Sequence, residues 1–178
     1  MRCLGFLLIL AFVFPGSDLA SAQLLQREAL YREAFQKCGR YFGIPYQLLM
    51  AIARQESDCR PLVINIAGRD HYPGSASEAL DLIRQAKARG QSYDVGLMQI
   101  NSQWLQRFGI SAELLLEPRN NIFMGAYILA QEIRRSGLSW QAVGHYHSKS
   151  RKRAENYAGK IKGHLLTLSD QSPAELLR

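Results

Sequence analysis

The sequence predicts a mainly α-helical protein of a single domain, and three observations lead to that prediction. Apolar side chains recur at helical spacing in nearly every segment, as Leu49, Ile52 and Ala53 do. Strand patterns are scarce, and only residues 61–68 (PLVINIAG) have the composition of a short hairpin arm. The 178 residues contain no internal repeat and suffice for one domain with a core of its own.

The N-terminus predicts export. Arg2 precedes the apolar stretch LGFLLILAFVFPG, which is short for a membrane span, and the small residues at 20–22 (ASA) form a cleavage pattern. Residues 1–22 are therefore expected to be a signal peptide, with an uncleaved anchor as the alternative. The polar end of the chain, 164–178, is predicted to be a flexible tail, so that the folded domain would comprise residues 23–163.

Helix start and stop signals divide that domain. Pro45 suits the first turn of a second helix, Ser75 and Glu78 fit a capping box, and Gly90 ends the helix that this box begins. The segments predicted to be helical are 24–41, 45–56, 76–89, 96–108, 111–118, 121–135, 139–147 and 154–166. Glycine and proline make the stretch between 62 and 75 irregular.

The charge of the chain indicates an anionic partner. The formal net charge is +7 and the isoelectric point is near 9.5. For an exported protein, a polyanionic cell envelope is a better candidate than nucleic acid, for which the sequence contains no reading motif. Much of the charge lies in residues 149–162 (KSRKRAENYAGKIK), and a solvated helix face is the alternative interpretation of that segment.

Two cysteines remain after the predicted signal, Cys38 and Cys59. An even pair in an oxidising compartment predicts a disulfide, which would join the first helix to the turn after the second. Neither cysteine has a second cysteine or histidine at ligand spacing, and His145 and His147 point to different faces of a helix. We therefore expect no metal site and no cofactor.

Glu56 stands where an apolar residue would fit. It continues the stripe of Leu49, Ile52 and Ala53, and it lies near the end of its helix. Burial and the negative end of the helix dipole both disfavour its anion, so the pKa of Glu56 should be raised. A carboxylic acid that keeps its proton near neutral pH can act as a general acid. The alternative is an ordinary glutamate at a frayed helix end with its carboxylate in water.

Three segments in order resemble the motifs of the lysozyme-like lytic transglycosylases. They are ES at 56–57, GLMQ at 96–99 and VGHYHS at 143–148, and the last departs from the pattern because His147 stands where asparagine is usual. The resemblance covers residues 31–159 and implies a lysozyme-like domain of the goose-type or SLT kind with a substrate cleft. The small members that serve type III secretion, type IV secretion or conjugation are the most similar in pattern.

The resemblance implies cleavage of the β-1,4 bond between N-acetylmuramic acid and N-acetylglucosamine in periplasmic peptidoglycan. Glu56 would protonate the leaving oxygen and then take the proton of the sugar's own 6-hydroxyl, which closes a 1,6-anhydro ring. The substrate contacts that the motifs imply are Ser57, Gly96, Met98, Gln99, Asn101 and Tyr146, of which Tyr146 would pack beside Glu56 and orient it. The protein is expected to be monomeric, with secretion or conjugation components as further partners.

Asp94 has two interpretations. The segment DVGLMQINSQW that it opens is similar to the part of animal C-type lysozymes that carries their second catalytic carboxylate. Asp94 would then assist catalysis, and a muramidase that hydrolyses the same bond is the alternative activity. Its other interpretation is the N-cap of a helix that begins at Gly96. An alternative without catalysis is a peptidoglycan-binding scaffold of a secretion system.

Overall fold

Helices make up most of residues 16–168, the part of the chain that the computed structural model describes, and the predicted mainly α class is confirmed. The helices are α1 (Gly16–Phe42), α2 (Tyr46–Ser57), α3 (Ala76–Ala88), α4 (Ser102–Phe108), α5 (Ala112–Leu116), α6 (Pro118–Ser136), α7 (Trp140–His147) and α8 (Arg151–Leu168). The strands are β1 (Ile64–Ile66), β2 (Arg69–His71), β3 (Tyr93–Val95) and β4 (Ile100–Asn101). Among these helices, none is long and apolar enough to cross a membrane.

Helix α2 lies at the centre of the helical layer. It packs against α1 and α8, while α6 packs against α1 and α7. Every residue from Leu48 to Ala53 is buried, because α2 meets neighbours on nearly all sides. The residues of the predicted stripe, Leu49, Ile52 and Ala53, are among those buried, and Glu56 follows them at the end of the same helix.

A buried ion pair holds the end of α2 to the first and last helices. Arg54 donates to Glu28 of α1 at 2.6 Å and to the hydroxyl of Thr167 in α8 at 2.5 Å. Leu165 in the same turn of α8 is fully buried. The prediction that a flexible tail begins at residue 164 is therefore wrong for 164–168, which continue α8 and pack on the domain.

The sheet is larger than the predicted hairpin. Its order is β2-β1-β3-β4, and each neighbouring pair is antiparallel. Strand β1 lies inside the predicted segment 61–68, and its hairpin partner β2 comes directly after that segment. Strands β3 and β4 lie where a loop and the start of a helix were expected. Gly96 and Gln99 have positive φ values of 79° and 46°, so residues 96–99 form a turn, and the helix predicted from 96 begins only at Ser102.

The capping prediction for α3 is confirmed. The hydroxyl of Ser75 accepts from the backbone N–H of Glu78, and the carboxylate of Glu78 accepts from the N–H of Gly74. The bond to Ser75 satisfies an N–H group that the first turn of a helix leaves without a partner, and the bond from Gly74 holds the chain one residue before the N-cap.

The predicted signal peptide stays a prediction. Residues 1–15 lie outside the described part of the chain, and residues 16–22, with the small residues of the predicted cleavage site, belong to α1. The last ten residues, 169–178, also lie outside it.

The structure contradicts the predicted disulfide between Cys38 and Cys59. Cys38 and Cys59 are both free thiols and both buried. Burial raises the pKa of Cys38 and raises that of Cys59 to about 12, so both stay protonated and behave as small apolar core residues. The pairing was predicted from the even number of cysteines and from an oxidising compartment, and neither of these gives the distance between the two sulfur atoms.

Candidate active site

A cleft of about 700 Å³ separates the helices α2, α6 and α7 from the sheet and the turn at 96–99. The side chains around it include Glu56, Asn65, Asp70, Asp94, Gln99, Asn101, Gln103, Trp104, Ile128, Glu132, Tyr146 and His147. Five residues predicted for the site, Glu56, Asp94, Gln99, Asn101 and Tyr146, therefore meet in one place. The other three, Ser57, Gly96 and Met98, are buried behind the wall of the cleft.

Glu56 has the raised pKa that the sequence predicts. Its carboxyl group lies in the cleft, where burial raises its pKa to about 7. The negative charges of Asp94 and Asp70 add to this shift, and a hydrogen bond from Tyr157 and the charge of Lys160 oppose it. Near neutral pH, the protonated and the ionised forms of Glu56 are therefore both populated. The group can give a proton and take one back, which a two-step transfer requires.

Tyr157 orients Glu56, and the sequence analysis did not identify it. The hydroxyl of Tyr157 in α8 donates to Oε1 of Glu56 at 2.6 Å. The ring is buried, and it lies parallel to the ring of His147, with centroids 4.7 Å apart. One signal was available: Tyr157 follows Ala154 on the buried stripe of α8, and a buried tyrosine hydroxyl needs a polar partner.

Tyr146 has a different partner from the one expected. Its hydroxyl donates to the backbone oxygen of Met98 at 2.7 Å, and its ring packs against Tyr157 at a centroid distance of 6.5 Å. Tyr146 thus supports Tyr157 and holds the turn at 96–99, whereas the hydrogen bond to Glu56 comes from Tyr157.

Asn121 of α6 fixes the turn from behind, and the sequence analysis did not identify it either. Its Nδ2 donates to the backbone oxygens of Val95 and Leu115, and its Oδ1 accepts from the N–H of Met98. A Cβ atom on Gly96 would lie 2.3 Å from Nδ2 of Asn121. The glycine of the second motif is therefore required by both its positive φ and this close approach.

Two residues of the motifs serve the turn in different ways. Ser57 donates through Oγ to the backbone oxygen of Leu97 at 2.8 Å, and it thereby joins the end of α2 to the turn. Gln99 donates through Nε2 to the backbone oxygens of Val63 and Gly96. Because both bonds use its amide nitrogen, the amide oxygen of Gln99 is the atom that can accept from a ligand in the cleft.

Asp94 is not a helix cap. It lies in β3, and the N-cap of α4 is Asn101, whose Oδ1 accepts from the N–H of Gln103. The Nδ2 of Asn101 donates to Asp94 at 2.7 Å. Burial raises the pKa of Asp94, while the bond from Asn101 and the charge of His147 oppose that shift. The capping interpretation is therefore wrong, and the carboxylate faces the cleft.

No metal centre is evident in the described residues. Within 16–168, no group of three or more histidine, cysteine, aspartate or glutamate side chains is arranged to hold a metal ion.

Comparison with known proteins gives a family and several relatives. The family model described as "Transglycosylase SLT domain" matches residues 33–164, a span that contains Glu56, Gln99, Tyr146 and Tyr157. Invasion protein IagB of Salmonella typhi is 32% identical over 160 residues, which are 85% of this chain and 87% of IagB. The X polypeptide of Escherichia coli is 36% identical over 124 residues, 67% of this chain and 61% of that protein. A peptidoglycan-binding-like protein of Escherichia coli O157:H7 is 31% identical over 159 residues, 84% of this chain and 83% of that protein.

Proposed function

The chain belongs to the transglycosylase SLT-domain family, and from that premise we propose that it is a peptidoglycan lytic transglycosylase. The bond cleaved is the β-1,4 bond between N-acetylmuramic acid and N-acetylglucosamine, and the product carries a 1,6-anhydro ring. One observation carries the proposal: among the carboxyl groups that line the cleft, that of Glu56 has a pKa of about 7 and accepts a hydrogen bond from Tyr157.

In the first step, the protonated form of Glu56 gives its proton to the glycosidic oxygen while the bond from that oxygen to C1 breaks. Positive charge develops at C1 of the muramic acid residue. The substrate's own acetamido group stabilises this charge, and the carboxylate of Asp94 in the same cleft adds electrostatic stabilisation. The low polarity that raises the pKa of Glu56 also strengthens these interactions.

In the second step, the carboxylate of Glu56 takes the proton of the 6-hydroxyl, and O6 forms the new bond to C1. The proton on Glu56 is thereby restored, and no water is consumed. The Tyr157 hydroxyl supports the first step, because its hydrogen bond stabilises the carboxylate that loss of the proton leaves. One group thus serves as acid and then as base, as a pKa of about 7 permits.

Asp94 favours a second candidate, a muramidase that hydrolyses the same bond. Its carboxylate lies in the cleft with Glu56, and it has no capping role that would explain it otherwise. In that reaction a water molecule attacks C1 in place of O6. The two activities differ in their products, because an anhydro end is one water lighter than a hydrolysed end.

The biological setting is part of the same proposal. The protein would be exported by residues 1–22 to the periplasm and would open the wall locally for a secretion or conjugation apparatus. Support comes from the predicted signal, from the net charge of +7 and from relatives whose names are "invasion protein" and "peptidoglycan-binding-like protein". A scaffold that only binds peptidoglycan is the alternative without catalysis.

The deciding experiment is product analysis. Purified protein is incubated with sacculi, and the released muropeptides are identified by mass spectrometry. Anhydro ends from the wild type, and none from Glu56→Gln, support the proposal. Glu113→Gln is the matched control, because it makes the same change at an exposed position of α5. Hydrolysed ends would instead establish the muramidase, and binding without cleavage would establish the scaffold.

A further inference from the structure

We propose that the groove between α7 and α8 binds the peptide stem of the peptidoglycan strand whose glycan lies in the cleft. This groove has a volume of about 620 Å³, and Trp140, His145, Lys149, Arg151, Ala158 and Lys162 are among the residues that line it. The inference rests on the proposed function, since it takes peptidoglycan as the substrate. It assigns the ligand chemistry as an extended peptide with free carboxylates.

The groove adjoins the cleft. His145 and Lys149 line both. The Lys149 ammonium donates to the buried carboxylate of Glu132, which also accepts from Arg135 at 3.0 Å. Glu132 therefore holds Lys149 at the junction, where a peptide attached to the lactyl group of a bound sugar leaves the cleft.

The length of the groove suits a short peptide. Arg151, Ala154, Ala158 and Lys162 lie on one face of α8, so that small side chains form the floor and cations stand at both ends. Arg151 and Lys162 are eleven positions apart, which is about 16 Å along a helix. An extended peptide of about five residues spans about 17 Å. The stem of peptidoglycan has this size and carries free carboxylates along it.

The charges of α8 are not explained by the stability of the helix. Its first turn holds Arg151, Lys152 and Arg153 and no acidic residue, although cations at a helix N-terminus oppose the helix dipole. Of these three, only Arg151 lines the groove, and an anionic ligand there gains from its guanidinium and from the helix dipole. Arg151 pairs with Glu155 at 2.8 Å, but both side chains are exposed, so a carboxylate of the ligand can replace Glu155 at small cost.

Lys162 supplies the cation at the other end. It has no carboxylate partner among residues 16–168, and its ammonium lies 4.7 Å from the centroid of the Trp140 ring. The indole thus holds the cation in place without neutralising it. A ligand carboxylate can bind Lys162 without displacing a competing anion.

The first test compares two substrates. Glycan strands with intact stems and strands whose stems an amidase has removed are digested by the wild type and by Lys162→Glu. The variant should raise KM about fivefold or more on stem-bearing strands with kcat unchanged, and it should match the wild type on bare strands. Lys152→Glu is the control, because it makes the same charge change on α8 outside the groove. An equal effect of Lys162→Glu on both substrates would overturn the proposal.

The second test needs no cleavage. A synthetic stem pentapeptide is titrated into the Glu56→Gln protein and followed by NMR. Shifts of the Trp140 indole N–H that Lys162→Glu abolishes and Lys152→Glu preserves support the groove. The absence of any such shift overturns the proposal that the groove binds the peptide stem. A groove that binds an acidic protein and not the stem would give this result. Failure of the proposed enzymatic function is distinguished by a different result, because the wild type would then leave sacculi uncut.

Discussion

Tyr157 and Glu56 lie 101 positions apart in the chain, and the hydroxyl of Tyr157 donates a 2.6 Å hydrogen bond to the carboxyl group of Glu56. The bond favours the carboxylate, while burial favours the neutral acid more strongly. These two effects, together with the charges of Asp94, Asp70 and Lys160, give the pKa of about 7. The ring of Tyr157, which carries this hydroxyl, is stacked on the ring of His147.

Tyr157→Phe should slow the reaction and move its pH profile. Removal of the hydrogen bond takes away the effect that lowers the pKa of Glu56, so that pKa rises above about 7. Activity should then persist to a higher pH before it is lost. In addition, kcat should fall about 10- to 100-fold because the carboxyl group is less well oriented. Rate measurements across pH 5 to 9 test both effects. Tyr41→Phe, on an exposed tyrosine, is the control. An unmoved pH profile would remove Tyr157 from this role.

Asp94→Asn should lower turnover and leave the fold intact. The carboxylate raises the pKa of Glu56, so the variant should also move the pH profile to lower pH. The amide keeps an oxygen for the bond from Asn101, which preserves the contact between β3 and β4. We expect kcat to fall about tenfold because the electrostatic contribution is lost, and the melting temperature should not fall, because burial already disfavours the anion of Asp94. Steady-state kinetics and thermal melts are the measurements. A lower melting temperature with normal kcat would show that Asp94 is structural.

Asn121→Ala should destabilise the protein by about 3 kcal/mol. It leaves the N–H of Met98 and the backbone oxygens of Val95 and Leu115 without their partner in a buried place. The control is the neighbouring Asn120→Ala, which removes one hydrogen bond at an exposed position and should cost less than about 1 kcal/mol. Chemical denaturation of both variants gives the difference. Equal losses of stability would mean that the turn at 96–99 does not depend on Asn121.

The position of Glu56 could be predicted because its environment is local. Leu49, Ile52 and Ala53 are all fully buried, as the stripe on α2 requires, and the chain between them and Glu56 is a single helix. The capping box at Ser75 and Glu78 is also a local pattern, and it is confirmed. Such features depend on neighbours within about one or two helix turns, which the sequence displays directly.

The turn at 96–99 could not be predicted in the same way. The apolar residues Leu97 and Met98 suit a helix, and Gly96 resembles a helix start. The backbone instead bends around Asn121, which lies more than twenty positions away. Tyr157 was missed for a related reason, because its partner is a residue of another helix. In both cases a tertiary hydrogen bond decides the structure, and periodicity contains no information about it.

Glu56 should destabilise the folded protein at neutral and alkaline pH, and Glu56→Gln should relieve this. The pKa of Glu56 is about 7 in the folded state against 4.5 for the free group, so the folded state binds more protons between these values. A raised carboxyl pKa means that stability falls as pH rises from about 4.5 to about 7, and the full cost is present above that range. The amide has no charge to bury, and its oxygen can still accept from Tyr157.

Urea denaturation of the wild type and Glu56→Gln at pH 4.5, 6 and 8 measures this cost. The variant should be about 3 kcal/mol more stable than the wild type at pH 8, and the difference should shrink towards zero at pH 4.5. Glu113→Gln is the control, because its side chain is exposed and the change should give no comparable gain. A gain for Glu56→Gln that is the same at all three pH values would mean that charge burial is not its cause. The pKa of Glu56 would then have to be close to that of a solvated glutamate, and Glu56 would not hold the proton that the first step of the reaction requires.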